Sequence, residues 1–142
     1  MILPDVNLLL YAYHSAAKEH RQAARWLEES LSERNALGLS WHTILSFLRI
    51  ITAPRILAQP YELDEAVRIV DSWLSYPNVS VLHPTDRHWR ILRDLLPKSR
   101  VRGSLIMDAH LAALAIEHGA TLCTNDRDFA RFPGLRVEYP LQ

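Results

Sequence analysis

The 142-residue chain contains one cysteine, Cys123, and four glycines, and its sixteen basic residues are balanced by sixteen acidic ones. A lone cysteine excludes an internal disulfide and any thiolate metal cluster. With so few glycines there is no Gly-x-Gly-x-x-Gly fingerprint, no phosphate loop and no Gly-x-Ser-x-Gly elbow. Zero formal charge argues against binding nucleic acid by bulk attraction, so any such contact has to come from how the charges are distributed. No apolar run approaches the ~20 residues of a membrane span, and no charged region precedes the apolar start. These absences predict a cytoplasmic protein with no membrane association. Its length suits a single domain over residues 1–142 with one apolar core.

What is present is organised around Arg102 to Phe132. Leu105 to His118 runs without proline or glycine, is apolar at almost every position to Ile116, and ends at Gly119; this predicts a helix laid flat against a sheet, with Ser104 as its cap. Thr121 to Cys123 reads as a short buried strand that delivers Thr124, Asn125, Asp126 and Asp128 at its C-terminal end. Asp108 is the helix's one early carboxylate. A third acid comes from the start of the chain, where Met1 to Pro4 reads as a strand ending in Asp5, followed by an apolar helix over Val6 to Tyr13.

Singly, each acid has an ordinary explanation as a helix cap or a partner for a helix dipole. Together they suggest more, because the loops after parallel strands share one sheet edge, and that edge binds ligands. Carboxylates crowded on one edge repel, and they remain ionised only beside a cation or with raised pKa values. Mg²⁺ or Mn²⁺ suits such oxygen ligands and leaves positions free for phosphate oxygens.

The rest of the chain alternates helices and strands. Helices are expected over His20 to Glu33, from the Ser40 cap to Thr52, over Leu63 to Ser75 and over Asp86 to Leu96. Strands are expected over Asn35 to Leu39, Val79 to Leu82 and Leu135 to Glu138, and Asp126 is expected to cap a helix beginning at Arg127. This is a three-layer α/β pattern with a mostly parallel sheet. In the Asp86–Leu96 helix, Trp89, Leu92 and Leu96 are expected to face inward. Arg87, Arg90 and Arg93 recur on another face, and Lys98, Arg100 and Arg102 lead on toward Asp108. Arginine forks match phosphate oxygens, so this stretch is a candidate RNA track; a solvated basic face is the alternative.

These blocks resemble the PIN-domain ribonucleases, and among them the VapC-like toxins of toxin-antitoxin pairs. The resemblance rests on Pro4-Asp5-Val6-Asn7-Leu8-Leu9, Phe47-Leu48-Arg49-Ile50-Ile51-Thr52, Arg102-Gly103 through Asp108-Ala109-His110 to Ala115, and Thr124-Asn125-Asp126-Arg127-Asp128-Phe129, in family order across nearly the whole chain. It implies a PIN-like fold and an Mg²⁺- or Mn²⁺-dependent RNA endonuclease with Asp5, Asp108 and Asp126 as metal ligands. Asp128 would be an auxiliary catalytic acid, and Asn7 and Thr124 would be supporting groups. It further implies a homodimer and a small antitoxin that covers the acids. Arg49 is a candidate contact for RNA phosphate, with a helix-end arginine in solvent as the alternative.

One position departs from the family pattern. The usual glutamate before the Phe-Leu-Arg sequence is replaced by Ser46, and no acid occurs between Asn35 and Pro60. A serine hydroxyl is a weak metal ligand, so a second cation would be poorly held. His42 lies near enough in sequence to approach the site. Two other classes fit parts of the pattern: an inactive PIN module that binds RNA or a partner protein, and a phosphohydrolase of the haloacid-dehalogenase type. The latter needs an acid two residues after Asp5, where Asn7 stands.

Overall fold

The computed structural model describes residues 1–142. Five short strands form one sheet: β1 (Ile2–Pro4), β2 (Leu37–Leu39), β3 (Val79–Val81), β4 (Thr121–Cys123) and β5 (Val137–Glu138). Their order is β3-β2-β1-β4-β5, and every neighbouring pair is parallel. The sheet is thus wholly parallel. Six helices cover it: α1 (Val6–Tyr13), α2 (His20–Ser32), α3 (Trp41–Ile51), α4 (Leu63–Ser75), α5 (His88–Ser99) and α6 (Leu105–His118). A 3₁₀ turn, Arg127–Arg131, follows β4.

The chain winds from β1 outward through β2 to β3, then returns past its start to β4 and β5. Since crossovers keep one hand, reversing direction puts the later helices on the opposite face. The two cores follow this division. Leu9, Leu27, Phe47, Val70 and Trp73 of α1–α4 pack on one side with Leu37 and Leu39, while Leu95 of α5 and the apolar run of α6 pack on the other with Leu3 and Leu122. Strand side chains alternate, so Gly38 faces the second layer, and a Cβ there would meet the Leu82 side chain at 2.5 Å. Only glycine lets Leu82 lie across the strand.

Several boundaries differ from the sequence reading. β2 is shorter than Asn35–Leu39 and β5 shorter than Leu135–Glu138, because pairing extends only over Leu37–Leu39 and Val137–Glu138. The expected Asp86–Leu96 helix begins two residues later and continues through Pro97 to Ser99, ending where Arg100 turns left-handed at φ 52°. Trp89, in the first turn, stands in solvent at 62 % exposure; Leu95 is buried, with Ile91, Leu92 and Leu96 packed partly against the core. On α4 the apolar face is narrow: Val70 and Trp73 are buried, whereas Val67 and Leu74 are exposed. Ser104 makes no side-chain cap to α6.

Candidate active site

The order β3-β2-β1-β4-β5 reverses direction between β1 and β4, and a crevice opens at such a reversal beyond the strands' C-terminal ends. Asp5 follows β1 there and Thr124 follows β4. Asp5 is 7 % exposed. Its Oδ1 accepts from the Val6 amide at 2.8 Å, and its Oδ2 accepts from the Thr124 hydroxyl at 2.9 Å. The Thr124 oxygen in turn accepts from the Asp126 amide at 3.0 Å, and Asp126 Oδ1 accepts from the Asp128 amide at 2.9 Å. One buried hydroxyl therefore links the two strand ends and sets both acidic loops. A hydroxyl can donate once and still accept, which valine in its place could not do.

Asp108 enters the same crevice from the first turn of α6, where it is half-buried. Its carboxyl is pushed up to about 6, first by burial and then by Asp5, Asp126 and Asp128, with Arg131 opposing. Asp5 is also raised, by burial and by Asp126, against the lowering by its bonds to Thr124 and Val6. Asp5, Asp126 and Asp128 are therefore all close enough to oppose the ionisation of Asp108. Asp128 is the most solvent-exposed of them, and its carboxylate approaches Arg131 at 3.7 Å. Arg131 was not singled out from sequence. Its only sequence signal is its place three residues after Asp128, inside the 3₁₀ turn.

The donor set is all carboxylate oxygen with an excess of negative charge, which fits a hard divalent cation. The side chains are not drawn in around one point, since no three acidic, histidine or cysteine groups are arranged to share an ion. Asp5, Asp108 and Asp126 are the groups that would hold one.

The other expected residues are distributed more widely. Asn7 makes no side-chain hydrogen bond to Asp5 and lines a small hollow of about 120 Å³ with Leu10, Ile51 and Ile56. Ser46 is buried on α3. His42, Ser46 and Arg49 are spaced i, i+4, i+7 and share one face of that helix; Arg49 lowers the pKa of His42, behind the larger effect of burial. The position where the family carries an acid is thus flanked by an imidazole and a guanidinium.

The arginine row divides. Arg87 donates to the Glu117 carbonyl at 2.8 Å and so ties α5 to α6. Arg90 and Arg93 line a cleft of about 520 Å³ with Asp94, Ile116, Pro133 and Gly134. Ile116 lies eight residues along α6 from Asp108, or ~12 Å at 1.5 Å per residue. Arg100 and Arg102 stand in the approach to α6, nearer the acids in the chain. The row expected as one track is therefore part structural tie, part remote cleft and part approach to the crevice.

A doubly wound parallel sheet whose reversal point gathers four mutually repelling carboxylates defines an α/β domain with an acidic ligand-binding edge. Comparison with known proteins gives the family. The PIN domain profile matches residues 2–135, and the chain belongs to the PIN-domain family, in its VapC branch. It is 40 % identical to ribonuclease VapC33 of Mycobacterium tuberculosis over 100 % of this chain and 99 % of that protein. Ribonuclease VapC37 of the same organism is 37 % identical over 99 % of this chain and 97 % of its own. Among solved structures, VapBC2 from Rickettsia felis, bound to a promoter DNA fragment, aligns with a TM-score of 0.71 at 20 % identity, covering 97 % of this chain and 98 % of that one. VapC20 of M. tuberculosis, a sarcin-ricin loop cleaving toxin, gives 0.67 at 20 % identity, covering 96 % and 99 %. At that identity the solved structures speak for the fold alone, and the PIN-like three-layer arrangement is theirs as well. No helix is long and apolar enough to cross a membrane.

Proposed function

We propose that the protein is an RNA endonuclease, the toxin of a toxin-antitoxin pair, and that its hydrolysis of phosphodiester bonds depends on Mg²⁺ or Mn²⁺ held by Asp5, Asp108 and Asp126. The observation that carries this reading is the convergence of Asp5, Asp126 and Asp108 on one crevice, where Thr124 links the first two and the Asp108 carboxyl is raised first by burial and then by the other acids. A site that holds its own charges in mutual conflict gains from a cation, and the names of relatives alike over the whole chain supply the substrate class. When bound, the divalent ion supplies a more acidic water and charge compensation at phosphorus.

The chain's own residues do the rest. Thr124 and the Val6 amide fix the Asp5 carboxylate at both oxygens and leave each with a further lone pair for a ligand. Thr124 also sets the loop that brings in Asp126 and Asp128. Asp108 faces these groups across the crevice, its carboxyl raised by burial and by the other acids, and would be the third carboxylate holding the ion. Arg131 limits the negative charge next to Asp128 and, with Arg100, Arg102 and Arg49, supplies cationic contacts for RNA phosphate. No covalent nucleophile is required.

VapBC complexes among the structural relatives support a cognate antitoxin as partner. We extend the proposal to a homodimer acting in the cytoplasm. A second reading, a binding module without catalysis, is favoured by Ser46 and by the absence of any three side chains gathered around one point. RNA cleavage by antitoxin-free protein in Mg²⁺ or Mn²⁺, compared with EDTA and with Asp108→Asn, separates the two. Cleavage lost in both controls supports the nuclease. Folded, metal-supplied protein that cleaves no RNA overturns it in favour of the binding module.

A further inference from the structure

Away from the four aspartates, α6 carries a second polar system. Glu117 is buried in an otherwise apolar helix, its side chain wholly inaccessible. Its Oε1 accepts from the Thr85 amide at 2.7 Å, and its Oε2 lies 2.7 Å from His88 Nδ1. His88 Nε2 lies 2.9 Å from His110 Nδ1, the two rings 4.8 Å apart and inclined at 74°. A carboxylate only accepts, so the proton on His88 is at Nδ1. With both rings neutral, His88 Nε2 accepts from His110 Nδ1–H, and His110 is left with a lone pair on Nε2.

That nitrogen has no protein partner and is not among the buried polar atoms lacking one, so it is open to solvent. Its ring stands edge-on to His42, with centroids 6.3 Å apart. His42 opens α3 just beyond β2, the strand beside β1, so both imidazoles stand at the sheet edge that carries Asp5. His110 follows Asp108 by two residues on α6, ~200° around the helix, so its ring is turned from the aspartates toward His88 and His42, on the β2 side of that edge. The bond between His88 and His110 joins α5 to α6 at a second point, along one helix face from Glu117. It also holds one ring in one orientation and one tautomer.

We propose that His110 is a substrate-contacting residue of the RNA site, its Nε2 accepting a hydrogen bond from a ribose 2′-hydroxyl, and that Glu117 and His88 are the positioning residues that hold its ring. This rests on the ribonuclease reading and deepens it. The 2′-hydroxyl is the donor that separates RNA from DNA, and an acceptor with no proton of its own selects for it. A phosphate, which only accepts, finds no donor at this atom.

The test is binding of a short fluorescent RNA and of the same sequence as DNA, by anisotropy in Mg²⁺, in the Asp108→Asn background so that nothing is cleaved. His110→Ala is expected to weaken RNA binding about fivefold, the worth of one neutral hydrogen bond, and to leave DNA binding unchanged. Glu117→Gln is expected to weaken RNA binding by a smaller factor of about three in the same direction, with the His88 imidazole ¹⁵N signals shifting in NMR spectra. RNA and DNA weakened alike by His110→Ala, or RNA binding unchanged, overturns the assignment of His110 even if the wild-type protein cleaves RNA. Wild-type protein that neither cleaves nor binds RNA removes the ribonuclease reading itself, and the proposal with it.

Discussion

The crowding of carboxylates makes a prediction about stability that is independent of any activity assay. Asp108 has a folded pKa of about 6 against an ordinary 3.8, so between those values the folded protein holds a proton that the unfolded chain has lost. Stability from this group is therefore complete below the unfolded value and is lost as pH rises through about 6. The ceiling is ~3 kcal/mol, at ~1.36 kcal/mol per pH unit. Asp108 is half-exposed, and solvent screening reduces this to about 1 kcal/mol. Asp108→Asn keeps the shape and removes the charge. In EDTA at pH 7.5 it is expected to melt roughly 3–4 °C above the wild-type protein, with a smaller difference at pH 5. Adding Mg²⁺ or Mn²⁺ at pH 7.5 is expected to raise the wild-type melting temperature and narrow the gap, because a cation bound to the folded form alone stabilises it. The assay is thermal unfolding by circular dichroism over that pH range. If Asp108→Asn melts at or below the wild-type temperature in EDTA, with no dependence on pH, the acids do not repel as described and the case for a cation loses its support.

Thr124→Val removes the donor to Asp5 and the acceptor for the Asp126 amide inside a fully buried position; it is expected to cost about 1–3 kcal/mol in denaturant unfolding and to depress RNA cleavage more than its stability loss explains. Gly38→Ala forces a Cβ against Leu82 and is expected to destabilise by about 1–3 kcal/mol, with partial recovery when Leu82 is also shortened to Val. Burial pushes the Cys123 thiol up to about 12, so it should react with a thiol reagent only after denaturation, as a chromogenic disulfide assay will report. Arg100→Glu with Arg102→Glu is expected to weaken RNA binding and flatten its salt dependence, whereas Arg90→Glu with Arg93→Glu should alter both less, as read from anisotropy titrations at several salt concentrations.

The sheet was legible because each strand announces itself by short apolar composition and each long helix by its period, and because alternation of the two leaves few topologies to consider. Strand ends were overextended at Asn35 and Leu135, because the ladder begins only at Leu37 and Val137 and nothing in the composition of the two residues before each marks that limit. The inward face of α5 was read correctly at Leu92 and Leu96 and misread at Trp89, which lies in the first turn, where the helix has not yet come against the core. The acids at Asp5, Asp108 and Asp126 could be found from sequence because each lies at the end of an element, and parallel strands place such ends together. Glu117 could not, because a single glutamate at the end of an apolar helix reads as solvated surface, and its partners at Thr85 and His88 are some thirty residues away.

The arrangement around Ser46 bears on how such a site works with one acid fewer. A glutamate at that position would add a further carboxylate to a site where burial first, and then Asp5, Asp126 and Asp128, already raise Asp108 to about 6. Serine leaves the repulsion to Asp5, Asp126 and Asp128, which cluster on the β4 side. On the β2 side the α3 face offers His42 and Arg49 with no acid between them. The expected consequence is a crevice with a carboxylate half that suits a cation and an imidazole-guanidinium half that suits the polar backbone of RNA. Ser46→Glu is expected to reverse part of that division: a carboxylate next to Arg49 would weaken RNA binding in EDTA while tightening binding of Mn²⁺, measured by calorimetry. Unchanged RNA affinity together with unchanged Mn²⁺ affinity would show that the α3 face does not border the site and that the division does not exist.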